Sequence, residues 1–367
     1  MHVSIQVGLL TRFYWVNSQW LYFYPVFKRL QVMAVMPNST PSRQQHIVIL
    51  GTGGTIAGLS ASPGDNIGYT AAQVGVDQLV TAIPSLAEAG PVLTEQVAQI
   101  DGKDMGFGVW AQLAARVDHY LAREDVQGVV ITHGTDTIEE TAFFLQSVVQ
   151  GDKPVVLTCA MRPANALAPD GPQNVMDALA VARHPGASGV VVVCAGTIHS
   201  ASDVQKEHTY RLDAFSSGDG APIGFIEEGK LRLVRNWPLA QVIPAQAAIK
   251  SIAAMASPTD WPRVEIVMNY AGASGAVVHA LVAQGVQGLV AAGTGNGSLH
   301  HDLESALLQA QAAGVRVVRA TRCLNGHVLP KPGDLLPDSR GLSPVKARVA
   351  LMLELLSTPN SAPVTPR

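Results

Sequence analysis

The stretch from Gly128 to Leu145 constrains the fold more than any other part of the chain. It opens with Val129–Ile131, a short β-branched run typical of a buried strand. Residues 132–137, Thr-His-Gly-Thr-Asp-Thr, then form a polar turn, and helical character resumes at Ile138. A strand's carboxyl end therefore meets a helix's amino end, which is where open α/β sheets bind their ligands.

The first turn of the predicted helix is acidic. Glu139 and Glu140 suit the positive end of the helix dipole. Thr137 and Glu140 have the spacing of a capping box, so we expect them to cap the helix. Polar side chains are costly to hold near a core unless they are partnered. Their concentration indicates a functional site rather than a plain loop.

Strand-like and helix-like segments alternate along most of the chain. This pattern favours an α/β fold with a mainly parallel, doubly wound sheet, followed by a second α/β segment. The first segment has predicted strands at 46–50, 92–100, 129–131, 154–159 and 189–194, predicted helices at 70–83, 108–123 and 174–183, and a hairpin at 223–233. The second has predicted strands at 264–269, 288–292 and 315–319 and predicted helices at 274–284, 299–313 and 344–357.

A length of 367 residues with 47% hydrophobic content suits two domains. We expect an N-terminal domain over residues 46–236 and a C-terminal domain over residues 263–357. Residues 237–262 contain four prolines and are interpreted as the linker. Residues 358–367 are rich in proline and are expected to be a disordered tail.

Residues 1–45 differ from the rest, because eight of the chain's aromatic residues fall within the first 27 positions. Three interpretations stay open: a start codon placed too far upstream of Met33 or Met36, a targeting segment, and an interfacial anchor. Arg12 and Pro25 help to interrupt the run, which is too broken to cross a bilayer. We therefore expect no membrane partner.

Charge and cysteine content limit the partners and the cellular location that we expect. The net charge is -3 and no block of basic residues is present, so we expect no nucleic-acid partner. The three cysteines, Cys159, Cys194 and Cys323, lack metal-ligand spacing and favour a reducing compartment. The predicted location is the cytoplasm, or the periplasm if the first 35 residues are a genuine leader.

A glycine-rich loop, residues 51–58, follows the first predicted strand. Its glycines permit a positive φ and close approach to a ligand. A dinucleotide-binding loop is the alternative, but no acidic residue ends a second strand about 20 residues later. The loop also lacks the Gly-Lys pair of a phosphate-binding loop.

The glycine loop and the central turn together resemble a known family. Thr52-Gly53-Gly54-Thr55-Ile56-Ala57 and Thr132-His133-Gly134-Thr135-Asp136-Thr137 are similar to the two signatures of the bacterial-type L-asparaginases. The resemblance covers about residues 46–357 and continues through the segments 159–163, 170–172, Lys206, 292–297 and 344–348.

The resemblance implies a fold, an activity and an assembly. The activity is hydrolysis of L-asparagine to L-aspartate and ammonia without a cofactor, together with some activity on L-glutamine. The fold has a larger N-terminal domain and a smaller C-terminal one. The assembly is a homotetramer whose active sites lie between subunits.

The resemblance also assigns roles to single residues. Thr55 is the nucleophile, and a threonine hydroxyl needs activation by a neighbour. Tyr69 matches the tyrosine that lies beside the nucleophile in this family. Thr135 is the second catalytic threonine, Lys206 is its proton acceptor, and Asp136 binds the ammonium group of the substrate.

The chain departs from the family at Gly102 and Lys103. Many relatives have Ser-Gln or Ser-Lys there, and that serine binds the substrate carboxylate. We expect the Gly102 N–H and the Lys103 charge to compensate in part. Sequence alone predicts that Gly102→Ser lowers KM. The adjacent His300 and His301 are expected to point in different directions, so no metal site is predicted.

Three other functions compete with a free amidohydrolase. The amidase subunit of a tRNA-dependent amidotransferase shares the motifs, but usually has an extra N-terminal domain that the residues before His46 do not match. A non-catalytic amino-acid sensor would not need Thr55, Thr135, Asp136 and Lys206 intact. A nucleotide-binding oxidoreductase is the most distant alternative.

Overall fold

A mainly parallel sheet of eight strands forms the centre of the larger, N-terminal domain in the computed structural model. In chain order the strands of this domain are β1 (His46–Gly53), β2 (Leu59–Ser60), β3 (Tyr69–Thr70), β4 (Val92–Ile100), β5 (Val126–Thr132), β6 (Val155–Thr158), β7 (Val190–Cys194), β8 (Thr197–Ser200), β9 (Gln205–Lys206), β10 (Phe215–Ser216), β11 (Gly224–Glu227) and β12 (Lys230–Leu233). The sheet order is β12-β11-β8-β7-β6-β5-β1-β4. Strands β4, β1, β5, β6 and β7 are parallel, and β8, β11 and β12 extend one edge in antiparallel fashion.

The structure describes residues 45–87, 90–238 and 261–357. The predicted N-terminal extension lies outside these residues except for Gln45, and so do the predicted tail and all but the ends of the predicted linker. The proposed domain boundaries stay predictions. Within the described residues, no helix is both long enough and apolar enough to cross a bilayer.

Helices cover both faces of the large sheet, so the predicted doubly wound arrangement is confirmed. The helices are α1 (Val76–Thr81), α2 (Phe107–Leu121), α3 (Ile138–Val148) and α4 (Gly171–Arg183). Successive side chains of a strand point to opposite faces. Accordingly, Val48 and Leu50 pack in the core shared with α2 and α3, whereas Ile47 and Ile49 pack in the core shared with α1 and α4.

The smaller, C-terminal domain has a parallel three-stranded sheet. Its elements are β13 (Val264–Met268), α5 (Ala276–Ala283), β14 (Gly288–Gly293), α6 (His301–Ala312), β15 (Arg316–Thr321) and α7 (Pro344–Ser357). Helix α7 contacts α3 as well as the small sheet. Its buried residues Ala347, Val349 and Leu353 belong to the same core as α2 and α3, so one apolar core continues from one domain into the other.

The helix expected over residues 70–83 was wrong in its first half, because α1 begins only at Val76. The preceding backbone is paired with the glycine loop instead. The Ala72 N–H donates to the Gly54 carbonyl at 3.1 Å, and the Gln73 N–H donates to the Ala57 carbonyl at 2.7 Å. Ala72 also has a φ of 57°, which a right-handed helix does not allow.

The capping box expected at α3 does not form either. Thr137 occupies the N-cap position of α3, but its side chain makes no capping hydrogen bond. The Thr137 hydroxyl instead donates to the Gly102 carbonyl at 2.7 Å. A contact 35 residues distant in sequence has replaced the local one, and it ties the loop before α3 to the loop after β4.

Thr141 on α3 gives a direct test of the core between α2 and α3. Its buried hydroxyl accepts a hydrogen bond of 2.9 Å from the Trp110 indole N–H. Thr141→Val keeps the side-chain volume but leaves that N–H unpaired, so we expect unfolding free energy to fall by about 1–3 kcal/mol. The urea midpoint reports the loss. The exposed Thr81→Val should change the unfolding free energy by less than about 0.5 kcal/mol. Equal midpoints for the two variants would contradict this packing.

Candidate active site

Three loops meet at the carboxyl edge of the large sheet. They follow β1, β5 and β4, which are neighbours in the order β5-β1-β4 and run parallel. The loop after β1 carries Thr55, the loop after β5 carries Thr135 and Asp136, and the loop after β4 carries Gly102. The structure thus places the predicted motifs at one end of the sheet, as expected for a ligand site in an α/β fold.

Glycine backbones pack directly against each other where these loops meet. A Cβ atom on Gly54 would lie 2.3 Å from the Gly134 Cα atom, and one on Gly134 would lie 2.5 Å from the Gly102 Cα atom. Real Cβ atoms do not approach other atoms so closely, so only glycine permits this contact at Gly54 and Gly134. Thr55 and Thr135 each follow one of the contacting glycines, which holds the two hydroxyl-bearing loops side by side.

Thr55 lies in a short turn after the first contacting glycine and is 6% exposed. Its hydroxyl shares a hydrogen bond of 2.6 Å with the Tyr69 hydroxyl. The antiparallel pair of β2 and β3 brings Tyr69 back across the glycine loop. The predicted neighbour relation between these two residues is therefore present, and a hydroxyl partner of this kind can exchange a proton with Thr55.

A second polar group lies on the loop after β5. The Lys206 ammonium donates to the Thr135 hydroxyl at 2.8 Å and to Asp136 Oδ1 at 2.6 Å. The Thr135 hydroxyl also lies 3.3 Å from Asp136 Oδ1. Lys206 is 71 residues distant from Thr135 in sequence and is positioned by the pairing of β9 with β10. The structure thus brings together the lysine, threonine and aspartate that the motifs singled out.

Lys103 is placed differently from the other candidates. Its ammonium lies 2.9 Å from a carboxylate oxygen of Asp101 and 2.9 Å from one of Asp104. Hydrogen bonds to Asp104 and Asp101 raise the pKa of Lys103 above its usual value, so the side chain is cationic. Two neighbouring carboxylates offset that charge, which weakens the compensation that we expected Lys103 to supply.

The sequence-based prediction for Gly102→Ser also meets an obstacle. Gly102 is buried, and a Cβ atom there would lie 2.9 Å from the Gly134 Cα atom and 3.0 Å from its carbonyl carbon. Both are backbone atoms, so a serine fits only if one loop moves. The Gly102 carbonyl is also held by the Thr137 hydroxyl. Position 102 is therefore a packing position as well as a candidate substrate contact.

His133 is fully buried beside the site. Its Nδ1 atom lies 2.7 Å from the Gly134 carbonyl, which can only accept, so Nδ1 carries the proton. Burial lowers the pKa of His133 to about 4, so the ring is neutral at neutral pH. A neutral, buried and hydrogen-bonded histidine at a strand end has a structural role.

Sequence reasoning did not predict the surroundings of two charged residues next to the site, of which Lys346 is buried and Glu139 is half-buried. Lys346 on α7 is 1% exposed, and its ammonium donates to the Ser202 carbonyl at 2.9 Å and to the Val204 carbonyl. The carboxylate of Glu139 on α3 faces the Lys206 backbone N–H. The only signal in the sequence was a lysine within the resembling segment 344–348, which by itself does not indicate burial.

The two adjacent histidines do not point apart as expected. The rings of His300 and His301 stack with centroids 4.3 Å apart, and Asp302 lies beside them on the surface. His300 Nδ1 accepts from the Asp302 backbone N–H at 3.3 Å and so caps α6. The Nδ1 lone pair of His300 is thus occupied, and we assign His300 a helix-capping role.

The fold and the site indicate a hydrolase. A pair of hydroxyls, a lysine and an aspartate lie at the carboxyl edge of a doubly wound sheet, which is an arrangement suited to covalent hydrolysis. Family models match most of the chain, with asparaginase, N-terminal, over residues 46–239 and glutaminase/asparaginase C-terminal domain over residues 263–365. The chain belongs to the asparaginase family and is a hydrolase.

Individual relatives agree with this assignment. The chain is 39% identical to L-asparaginase 2 of Escherichia coli over 85% of this chain and 89% of that protein. It is 36% identical to the glutaminase-asparaginase of Pseudomonas fluorescens over 88% and 89% of the two chains. A solved structure described as a probable cytoplasmic L-asparaginase from Campylobacter jejuni superimposes with a TM-score of 0.79, at 38% identity, over 86% of this chain and 96% of that one.

Gly134→Ala tests the backbone contact that joins the loops. The added methyl would lie 2.5 Å from the Gly102 Cα atom and 2.7 Å from its nitrogen, so the loops must separate. We expect a loss of about 1–3 kcal/mol in unfolding free energy, typical of overpacking. The matched control is Gly108→Ala on α2, where a Cβ atom meets nothing within 4 Å. The control should be neutral or stabilising, and a Gly134→Ala protein as stable as that control would contradict the contact.

Proposed function

We propose that this protein hydrolyses L-asparagine to L-aspartate and ammonia, with some activity on L-glutamine. The observation that carries the proposal is the hydrogen bonding of Lys206 to Thr135 and Asp136, whose loop lies next to that of Thr55. The similarity to proteins named L-asparaginase 2 and glutaminase-asparaginase supports both substrates. The two amino acids differ by one methylene, which a fitted pocket discriminates by about 1–3 kcal/mol.

Thr55 is the proposed nucleophile. Its oxygen attacks the side-chain amide carbon and its proton passes to the Tyr69 oxygen at 2.6 Å, while Tyr69 gives up its own hydroxyl proton toward the amide nitrogen, so that a tetrahedral intermediate forms. The C–N bond then breaks, and ammonia leaves with a proton returned by the enzyme. Water cleaves the resulting ester, which releases L-aspartate and restores the Thr55 hydroxyl.

Lys206 and Thr135 form the proposed second proton path. The contact of 2.8 Å between the lysine nitrogen and the threonine oxygen is short enough for transfer in either direction. For this path Lys206 first releases one ammonium proton, and its free amine then accepts the Thr135 proton while Thr135 takes a proton from the water that attacks the ester. Asp136 is half exposed and binds the ammonium group of the substrate beside its contact with Lys206.

The proposed site for the substrate carboxylate is the loop at Gly102 and Lys103. The backbone of this turn packs against Gly134, which places it next to the loop of Thr135. Because Asp101 and Asp104 offset the Lys103 charge, and the Lys103 N–H donates to Asp101, we assign most of the carboxylate binding to the Gly102 N–H rather than to that ammonium.

We further propose a cytoplasmic homotetramer with active sites at subunit interfaces. Met268 and Tyr270 are 53% and 55% exposed at the end of β13, and exposed apolar side chains of this size are typical of interfaces. The buried Cys159 and Cys194 sulfur atoms lie 2.9 Å apart, and the proposed reducing compartment would keep these two thiols from forming a disulfide. Sedimentation velocity on the purified protein tests the assembly, and a monomer at micromolar concentration would refute it.

Ammonia release by the purified chain alone tests the activity and its nucleophile. Thr55→Ala should lower kcat for L-asparagine by at least about 10³-fold without unfolding the protein, because the attacking oxygen is removed. Thr81→Ala, which changes an exposed threonine on α1, is the control. Ammonia release that requires an added partner protein would favour an amidotransferase subunit. No release under any condition would favour a sensor.

Lys206 variants test the proton path. Lys206→Met and Lys206→Arg should both lower kcat by at least about 10²-fold. Arginine keeps the positive charge but cannot deprotonate, so it should not restore turnover. Lys230→Met on β12 removes an exposed lysine and should leave kcat unchanged. Substantial turnover by Lys206→Arg would show that position 206 contributes charge alone.

A further inference from the structure

Lys346 is a buried cation that the proposed reaction does not use. It lies on α7 in the smaller domain, yet its ammonium reaches the segment 202–204 of the larger domain. Placing an ammonium in an apolar core is costly unless partners replace its water. Here the Ser202 and Val204 carbonyls accept its hydrogen bonds, and the carboxylates of Glu139 and Asp203 lie nearby.

These partners keep Lys346 charged in spite of its burial. Desolvation lowers the pKa of Lys346 to about 8, while Glu139 and Asp203 act in the opposite direction. The ammonium form therefore prevails at pH 7. Of the other charged and titratable groups nearby, Arg235 pairs with Asp203, and burial lowers the pKa of His199 to about 4, so that ring is neutral.

Glu139 holds the same segment from the other side. It lies in the first turn of α3, directly after the loop of Thr135 and Asp136. Its carboxylate faces the Lys206 backbone N–H and lies near the Lys346 ammonium. Burial raises the pKa of Glu139, and these two contacts lower it. The carboxylate and the ammonium thus compensate each other across the segment.

The consequence concerns the position of the Lys206 side chain. The Lys346 ammonium holds the carbonyl of Val204, two residues before Lys206, and the Glu139 carboxylate faces the N–H of Lys206 itself. Strand β9 is only two residues long, so its own pairing with β10 restrains it weakly. The contact of 2.8 Å between Lys206 and Thr135 depends on where this short segment lies.

We propose that Lys346 and Glu139 are positioning residues that hold the 202–206 segment so that the Lys206 amine meets Thr135 and Asp136. The smaller domain thereby completes the site of the larger one through a single buried side chain. The link to catalysis rests on the role that the proposed function gives to Lys206.

Steady-state kinetics and amine labelling on the full chain test the proposal. Lys346→Met keeps most of the volume and removes the donor, so kcat should fall by about 10- to 100-fold through misplacement of Lys206. KM should stay within about twofold, because the substrate contacts are intact. The rate at which acetic anhydride modifies Lys206, followed by peptide mass spectrometry, should rise at least about fivefold as its contacts loosen.

Glu139 supplies a conservative pair for the same test. Glu139→Gln keeps an oxygen that accepts the Lys206 N–H and should retain most of the turnover, whereas Glu139→Leu should lower kcat as Lys346→Met does. Arg348→Met is the matched control, since Arg348 is a cation on the same helix that contacts the Val264 carbonyl and lies 3.9 Å from Glu140. This control should show the wild-type labelling rate at Lys206 and the wild-type kcat.

The outcomes separate the two proposals. Wild-type kcat and labelling rate in Lys346→Met would overturn the positioning role, and so would equal losses in Lys346→Met and Arg348→Met. If Lys346→Met does not fold, the comparison of Glu139→Gln with Glu139→Leu decides. Equal kcat values and equal Lys206 labelling rates in these two variants would overturn the positioning role. A wild-type protein that releases no ammonia would refute the proposed function, while the labelling comparison would still test the placement of Lys206.

Discussion

The backbone contact among Gly54, Gly102 and Gly134 is the constraint on which the site depends. Three parallel strands end side by side, but their loops meet only because no Cβ atom keeps them apart. The nucleophile and the second threonine each follow a contacting glycine, so their hydroxyls are placed by backbone packing rather than by flexible side chains. Preorganisation of this kind is what covalent catalysis requires.

The polar part of the site needs support that the sheet alone does not give. Lys206 lies in a two-residue strand, and its ammonium is shared between a hydroxyl and a carboxylate. Partly satisfied polar networks are costly in a low-dielectric surrounding. The buried Lys346 ammonium, which donates to the Ser202 and Val204 carbonyls, and the nearby Glu139 carboxylate add partners around this segment. Because Lys346 belongs to α7, whose apolar residues share a core with α3, folding of the smaller domain and order at the site are linked.

Much of this could be predicted from sequence, and the failures have physical causes. Strand β4 was predicted with its observed bounds, because Val92–Ile100 has a clear strand pattern. The first half of the helix predicted over 70–83 was wrong, because the N–H of Ala72 pairs with the distant Gly54 carbonyl. Burial of Lys346 had no local signal, since a lysine near a helix start is usually solvated. Long-range contacts decided both cases, and a single sequence does not display them.

The most direct test of the account is to trap the covalent intermediate. Rapid acid quenching during turnover of L-asparagine, followed by peptide mass spectrometry, reports which side chain carries an aspartyl ester. The account predicts the ester on Thr55, the hydroxyl that the glycine contact places beside Tyr69. An ester on Thr135 would contradict this prediction. Turnover with neither an initial burst of ammonia release nor an ester at any quench time would also contradict it.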